Sequence, residues 1–352
     1  MILAITSFLF AFAIAFGRQT AAFGKIKQSL WFFPNYEFKR IVFSLISIIL
    51  GLWAWFSIPN NSIVNVLLIT SIILIILSFL FDFKYIFPEV KKVERKLGTL
   101  LKISGDTEII GISRKNISVA YPLEVVIPRH IINDKIGEMN IVVSYCAICR
   151  SALIFNAEIE GEKLYFKVSA VWRRNMVMID DQSKSLWQQA TGECIYGKYK
   201  GKHLELLSGE NTNWNSWVNK YPNSEFAYKC TEARKGYLSR KGMTKGLNFI
   251  TPKITPPGFT DLKGLPTRET VFGITYNGIS RAYPMSEIEN LTLFADQLNG
   301  KILNLKYDKS SEYLTAIDAE TKEQIIVEKH WWLGWKEFHP NTEIWYKSTH
   351  KM

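Results

Sequence analysis

Two uncharged apolar runs dominate the first quarter of the chain. Residues 41–58 and 63–81 contain no charged side chain. At a rise of ~1.5 Å per residue, a helix over either run nearly spans a ~30 Å hydrocarbon core. Pro59-Asn60-Asn61 between them is turn chemistry, so the pair predicts a helical hairpin in a membrane. Residues 1–17 form a third, shorter apolar stretch. It lacks a basic leader and a small-residue cleavage site, and reads as an uncleaved span rather than a signal peptide.

Beyond residue 96 the pattern changes to short runs of branched and aromatic residues broken by turn residues. Strands are expected over residues 109–113, 117–120, 141–145, 152–159, 163–169 and 176–179, with a hairpin turn at Glu160-Gly161-Glu162. A short helix is expected over residues 213–220, stopped near Pro222. The predicted class is α+β, rich in strand.

This part contains a duplication. Residues 111–122 read GISRKNISVAYP and residues 273–284 read GITYNGISRAYP, seven of twelve positions identical at an offset of 162. Asp134 then falls on Asp296 and Tyr145 on Tyr307. Both copies close with a tryptophan pair, Trp214 and Trp217 in the first, Trp332 and Trp335 in the second, at an offset of 118. The first copy therefore carries 44 extra residues, and one structural unit is used twice. The organisation expected is an anchor with a basic stem over 1–96, a first repeat over 97–230, a linker over 231–268 rich in Pro and Gly, and a second, shorter repeat over 269–352.

Charge changes this picture only near the membrane. The net charge is +11, and residues 1–96 hold ten Lys and Arg against four Asp and Glu. Arg18, Lys25, Lys27, Lys39 and Arg40 precede the hairpin; Lys84, Lys91, Lys92, Arg95 and Lys96 follow it. With three spans both groups share one face, which the positive-inside rule makes cytoplasmic. No basic helix or RNA-binding motif is present, so no nucleic-acid partner is expected. The partners expected are the lipid membrane and a redox partner protein.

The candidate chemistry is Tyr145-Cys146-Ala147-Ile148-Cys149, which holds two of only four cysteines. Thiols at this spacing can close a disulfide or hold a soft metal ion. In the second copy Cys146 becomes Asp308, Cys149 becomes Ser311 and His130 becomes Thr292, which localises the chemistry to the first copy. Aspartate and serine there suggest an exposed turn in both copies. As a redox pair, one thiol attacks and the other resolves, with His130 as proton acceptor or local cation and Arg150 or Arg129 as further cations. As a metal site, Cys146, Cys149 and His130 would suit copper, or zinc with one more ligand. The third reading is an inert pair in a structural or partner-binding protein. Cys194 and Cys230 read as buried or structural.

These residues resemble the DUF3179 proteins of bacteria and archaea. The resemblance runs through AYPLEVVIPRHIINDKIGEMNIVVSYCAICRSALIF and VSAVWRRNMVMIDDQSKSLWQQATGECIYGKYKG, over roughly residues 105–230. The family's tyrosine-flanked CxxC maps to Tyr145, Cys146 and Cys149, its histidine motif to His130, Asn133 and Asp134, and its strand, tryptophan and glycine motif to Met178, Asp180, Trp187 and Gly192. The family commonly has proline inside the CxxC and glycine after it, where this chain has Ala147 and Arg150. Some members are taken for selenoproteins, which implies redox chemistry. Many appear exported, which implies a location opposite to the one the charges give.

Overall fold

The computed structural model describes residues 1–20, 30, 33–236, 239–253 and 264–347. Lys25, Lys27 and most of the Pro/Gly stretch of the linker lie outside the described residues.

Three apolar helices come first: α1 (Ile2–Thr20), α2 (Tyr36–Ser57) and α3 (Ser62–Leu80). Two of them, α2 and α3, are long and apolar enough to cross a membrane; the apolar part of α1 is shorter. Asn61 starts α3 by accepting from the Ile63 and Val64 amides, both at 3.1 Å. Small residues let the helices meet. Ser7 Oγ donates to the Ser47 carbonyl at 2.7 Å, and Gly51 lies against Ser7 and Leu68. Leu45, Ile49, Phe56, Ile69 and Ile76 face outward, exposed.

The rest is β-rich, with five blade-like sheets in a propeller-like arrangement. In spatial order, blade one is Val90–Leu97, Glu225–Glu232, Ile117–Pro122, Glu108–Arg114 and Gly209–Asn213. Blade two is Leu206–Leu207, Ser151–Asn156, Met139–Cys146 and Ile131–Ile136. Blade three is Cys194–Tyr196, Leu186–Gln188, Asn175–Asp180 and Phe166–Trp172. Blade four is Glu328–Trp331, Thr270–Tyr276, Ile279–Pro284 and Glu343–Ile344. Blade five is Leu293–Leu298, Lys301–Asp308, Tyr313–Asp318 and Gln324–Ile325.

Blades one and two recur as blades four and five. Glu108–Arg114 becomes Thr270–Tyr276 and Met139–Cys146 becomes Lys301–Asp308, both at the offset of 162. After the insertion, helix Trp214–Lys220 becomes helix Trp332–Phe338 at the offset of 118. The frame contacts recur as well. A Cβ at Gly111 would fall 2.6 Å from the Trp217 ring, and one at Gly273 would fall 2.2 Å from Trp335. Only glycine lets these indoles lie flat on the strand. Each indole then donates to a hydroxyl seven residues on: Trp217 to Ser224 at 2.7 Å, Trp335 to Thr342 at 2.9 Å.

The 44 extra residues are blade three and its hairpin. The first copy spends residues 157–205 between two strands of blade two; the second spends only 319–323 between their counterparts in blade five.

The basic stem runs into the β-rich body: Val90–Leu97 pairs with Glu225–Glu232 as a strand of blade one, Val90 buried and Lys91, Lys92 and Lys96 exposed. Within the linker, Arg240–Ile250 is a helix capped by Ser239, whose Oγ accepts from the Gly242 amide at 3.0 Å.

Candidate functional site

Cys146 ends one strand of blade two, and Ser151 opposite it begins the next. The intervening turn needs a left-handed residue, and Arg150 supplies it at φ 47°; Glu312 takes the same φ in the second copy. The missing family glycine is therefore no obstacle to a tight turn here.

The turn is not exposed in the first copy. Cys146 and Cys149 are 2% and 1% exposed, in one core cluster with Phe155, Phe166, Met176, Met178 and Trp187. In the second copy Asp308 and Ser311 are only half-buried. The cover comes from the second repeat itself. The Trp331 amide donates to the Cys149 carbonyl at 2.8 Å. Gly334 lies so close that an added Cβ would fall 2.5 Å from Cys149 Cβ and 2.9 Å from its Sγ. Glu337, on the same helix, takes Arg173 Nε at 2.8 Å and Arg174 Nη1 at 2.5 Å. The Arg173-Arg174 turn is thus an anion clamp whose anion is the chain's own.

The surroundings of the sulfurs are polar as well as buried. The Asn175 amide donates from Nδ2 to Cys149 Sγ at 3.3 Å and to Gln189 Oε1 at 2.9 Å. Asn175 Oδ1 accepts from Gln188 Nε2 at 2.7 Å and from the Ala190 amide at 3.0 Å. Ser151 and Ser144 complete the chain on Gln189, each at 3.3 Å. The Cys149 thiol also points at the Arg174 carbonyl, 3.7 Å away.

The two thiols differ electrostatically. Burial opposes ionisation of Cys146, but the neighbouring Cys149 thiol and the polar backbone of Cys149, Met176 and Ile148 outweigh it and hold the Cys146 pKa below the ordinary thiol value. Cys149 is pushed well up, first by its hydrogen bond to Cys146 and then by burial. The second copy repeats the device with an authentic anion. Asp308, at the position of Cys146, accepts from the Ser310 amide at 2.9 Å and from Ser311 Oγ at 2.9 Å. Despite desolvation, these bonds lower its pKa.

His130 is not part of this constellation. Along the strand, Val142, Ser144 and Cys146 share one face, and Ile141, Val143 and Tyr145 the other. The His130 carbonyl pairs with the Tyr145 amide at 2.8 Å, its ring meets the Tyr145 ring edge-on, and Phe87 stacks on it with centroids 4.0 Å apart. It therefore sits on the side away from the sulfurs. Its Nδ1 donates to the Ile127 carbonyl at 2.7 Å. Burial lowers its pKa to about 4, so the expected local cation is neutral at pH 7. Arg129 is likewise engaged elsewhere, with Glu232 at 2.9 Å.

The remaining site candidates hold blades together. Tyr121 Oη donates to Asp134 at 2.8 Å, and Tyr283 repeats this with Asp296. A contact repeated in the copy without cysteines is a frame contact. Asn133 pairs with both backbone groups of Phe166, at 2.8 and 2.9 Å, and so ties blade two to blade three; its counterpart Ala295 has no such blade to hold. Asp180 accepts from Trp187 Nε1 at 2.9 Å and from the Ser185 amide at 3.1 Å, closing the hairpin of blade three. Gly192 is left-handed, and a Cβ there would meet Phe155 at 2.9 Å. Cys194 is buried, with its pKa raised to about 11 by that burial; Cys230 is likewise raised to about 11. Asn175, Gln189, Trp331 and Gly334 carried no signal in the sequence, since none lies near the CxxC along the chain.

The donor set does not suit zinc. Among the described residues no group of three or more His, Cys, Asp and Glu side chains is close enough to hold a metal ion. Structural zinc takes four ligands; here two sulfurs stand alone, His130 being on the far face.

A duplicated pair of blades, a third inserted blade and a dithiol turn capped by the second repeat define a β-rich, propeller-like protein with an apolar helical segment. The chain belongs to the DUF3179 family, described as a protein of unknown function, whose model matches residues 86–322. The match extends well past the region of resemblance, through blades one to three and most of the second repeat. No curated protein and no solved structure matches the chain.

Proposed function

We propose that the protein is a membrane-anchored dithiol-disulfide redox protein, with Cys146 as the attacking thiolate and Cys149 as the resolving thiol. One observation carries this reading: Cys146 takes the position of Asp308, whose carboxylate is held in a turn nest by the Ser310 amide and the Ser311 hydroxyl, and the Ile148 amide and the Cys149 thiol stand at those two places in the first copy. A nest that accommodates a carboxylate favours a thiolate over a thiol at the same place.

The step is ordinary exchange. Cys146 Sγ attacks one sulfur of a partner disulfide, forming a mixed disulfide and releasing the other partner sulfur as thiolate. Cys149 then attacks Cys146 Sγ, its proton passing to the departing partner sulfur. The protein ends with a Cys146–Cys149 disulfide, and the partner carries two more electrons. Because the sulfurs are sealed, the segment from Trp331 to Trp335 has to move aside first.

A redox titration followed by alkylation tests this. Both thiols should become protected together at one potential, and Cys149→Ser should trap a mixed disulfide on Cys146. Independent alkylation of the two thiols at every potential would end the proposal. The Lys and Arg flanking the helices favour a multi-pass anchor with the body in the cytoplasm, while the family resemblance favours export. A C-terminal reporter fusion distinguishes the two.

A further inference from the structure

A second concave site lies on the other side of the dithiol strand. A cavity of about 270 Å3 opens where the two repeats face each other, lined by Tyr145 and Arg150 from blade two and by the turn that holds Glu312 in blade five. It approaches the size of small-molecule sites, roughly 300–1,000 Å3.

The two copies line it from equivalent positions, and there they differ. Glu108 corresponds to Thr270, Arg150 to Glu312 and Asn211 to Lys329. Elsewhere the frame pairs are identical: Gly111 and Gly273, Trp217 and Trp335, Tyr121 and Tyr283.

The charges there are not spent on each other. Arg150 Nη2 is 4.0 Å from Glu108 Oε1, and Lys329 Nζ is 3.8 Å from Glu312 Oε2. A charge-assisted hydrogen bond is about 2.7–2.9 Å, so both carboxylate contacts are loose; Lys329 Nζ instead donates to the Glu312 backbone carbonyl at 3.0 Å. Lys329 is also partly buried, and burial lowers its pKa despite the neighbouring glutamates. His330, 2% exposed, directs Nε2 to Glu328 at 3.2 Å, while its Nδ1 has no hydrogen-bond partner among the described residues. Its ring packs against Trp335 on the strand face opposite Lys329, so it backs the cavity wall without entering it.

We propose that this cavity binds a small zwitterion of the amino-acid or dipeptide type, its carboxylate on Arg150 and Lys329 and its ammonium on Glu108 and Glu312. The site does not depend on the redox reading, because Tyr145 and Cys146 point to opposite faces of their strand.

The experiment is a titration of the full chain in detergent with L-alanyl-L-alanine, followed by calorimetry and ligand-observed NMR. N-acetyl-alanine and alanine amide, each keeping one charge, are the comparison probes. Saturable binding of the dipeptide is expected, weakened about tenfold or more by loss of either charge on the ligand. Arg150→Gln and Glu312→Gln should weaken it similarly at unchanged melting temperature, both side chains being surface-exposed within the cleft. No saturable binding of the dipeptide, equal binding of a singly charged probe, or wild-type affinity in both variants would each overturn the proposal.

Discussion

Gly334→Ala probes the seal over the dithiol. The new methyl would sit 2.5 Å from Cys149 Cβ and 3.2 Å from its Cα. Neither atom can swing away, since the Cys149 carbonyl is fixed to the Trp331 amide and its sulfur to Asn175. Overpacking of this kind costs about 1–3 kcal/mol. If alkylation of Cys149 requires local opening, its rate follows the opening equilibrium. The variant should then be alkylated about 5- to 140-fold faster, at about 1.4 kcal/mol per factor of ten. Gly246→Ala is the control, a helical position with nothing within 4 Å of the added carbon. The assay is time-resolved alkylation of the reduced protein with mass readout at each cysteine. A Gly334→Ala protein alkylated at the wild-type rate would refute the reasoning, because the second repeat would then not be what shields the sulfurs.

Other consequences are as direct. Asn175→Ala leaves Gln188, Gln189 and the Ala190 amide short of partners, so stability should fall by roughly 2–3 kcal/mol in chemical denaturation; no change would show that the network is not needed. His130 has a folded pKa of about 4 against about 6.5 unfolded. The unfolded state therefore binds the proton first, and stability is full above pH 6.5 and falls as pH drops from 6.5 to 4, by roughly 3 kcal/mol from this group. His130→Asn, which tolerates the left-handed φ of 62°, should flatten that limb in pH-dependent denaturation. Asn133→Ala should loosen blade three from blade two, read as earlier proteolysis within residues 157–205 and little change in the second repeat.

The repeat was legible because its frame residues act locally. Gly111 and Gly273 admit an indole, and the AYP segments enter short helices at the same point. The surplus of 44 residues was legible too, but its position was not, since short strands such as Leu186–Gln188 carry little periodicity. Burial of the CxxC was hidden because its cover arrives from Trp331 and Gly334, far along the chain. The nearness of His130 in sequence was misleading for the opposite reason. Antiparallel pairing brings it beside Tyr145, and the pleat then turns Cys146 away. The stem's composition hid a strand: Lys91, Lys92 and Lys96 are exposed on Val90–Leu97, an edge strand, where they discourage unwanted pairing.

Only nine residues separate the end of α3 at Leu80 from the strand that begins at Val90. That junction is pinned by the Arg40–Asp82 ion pair, the Phe87–His130 stack and the Tyr165 hydroxyl on the Val90 carbonyl. A body joined in this way cannot roam on a leash. With α2 and α3 in a bilayer, it would be held at one height and one tilt, and any partner of the redox reading would have to meet it at that level, carried in by lateral diffusion or by docking from above.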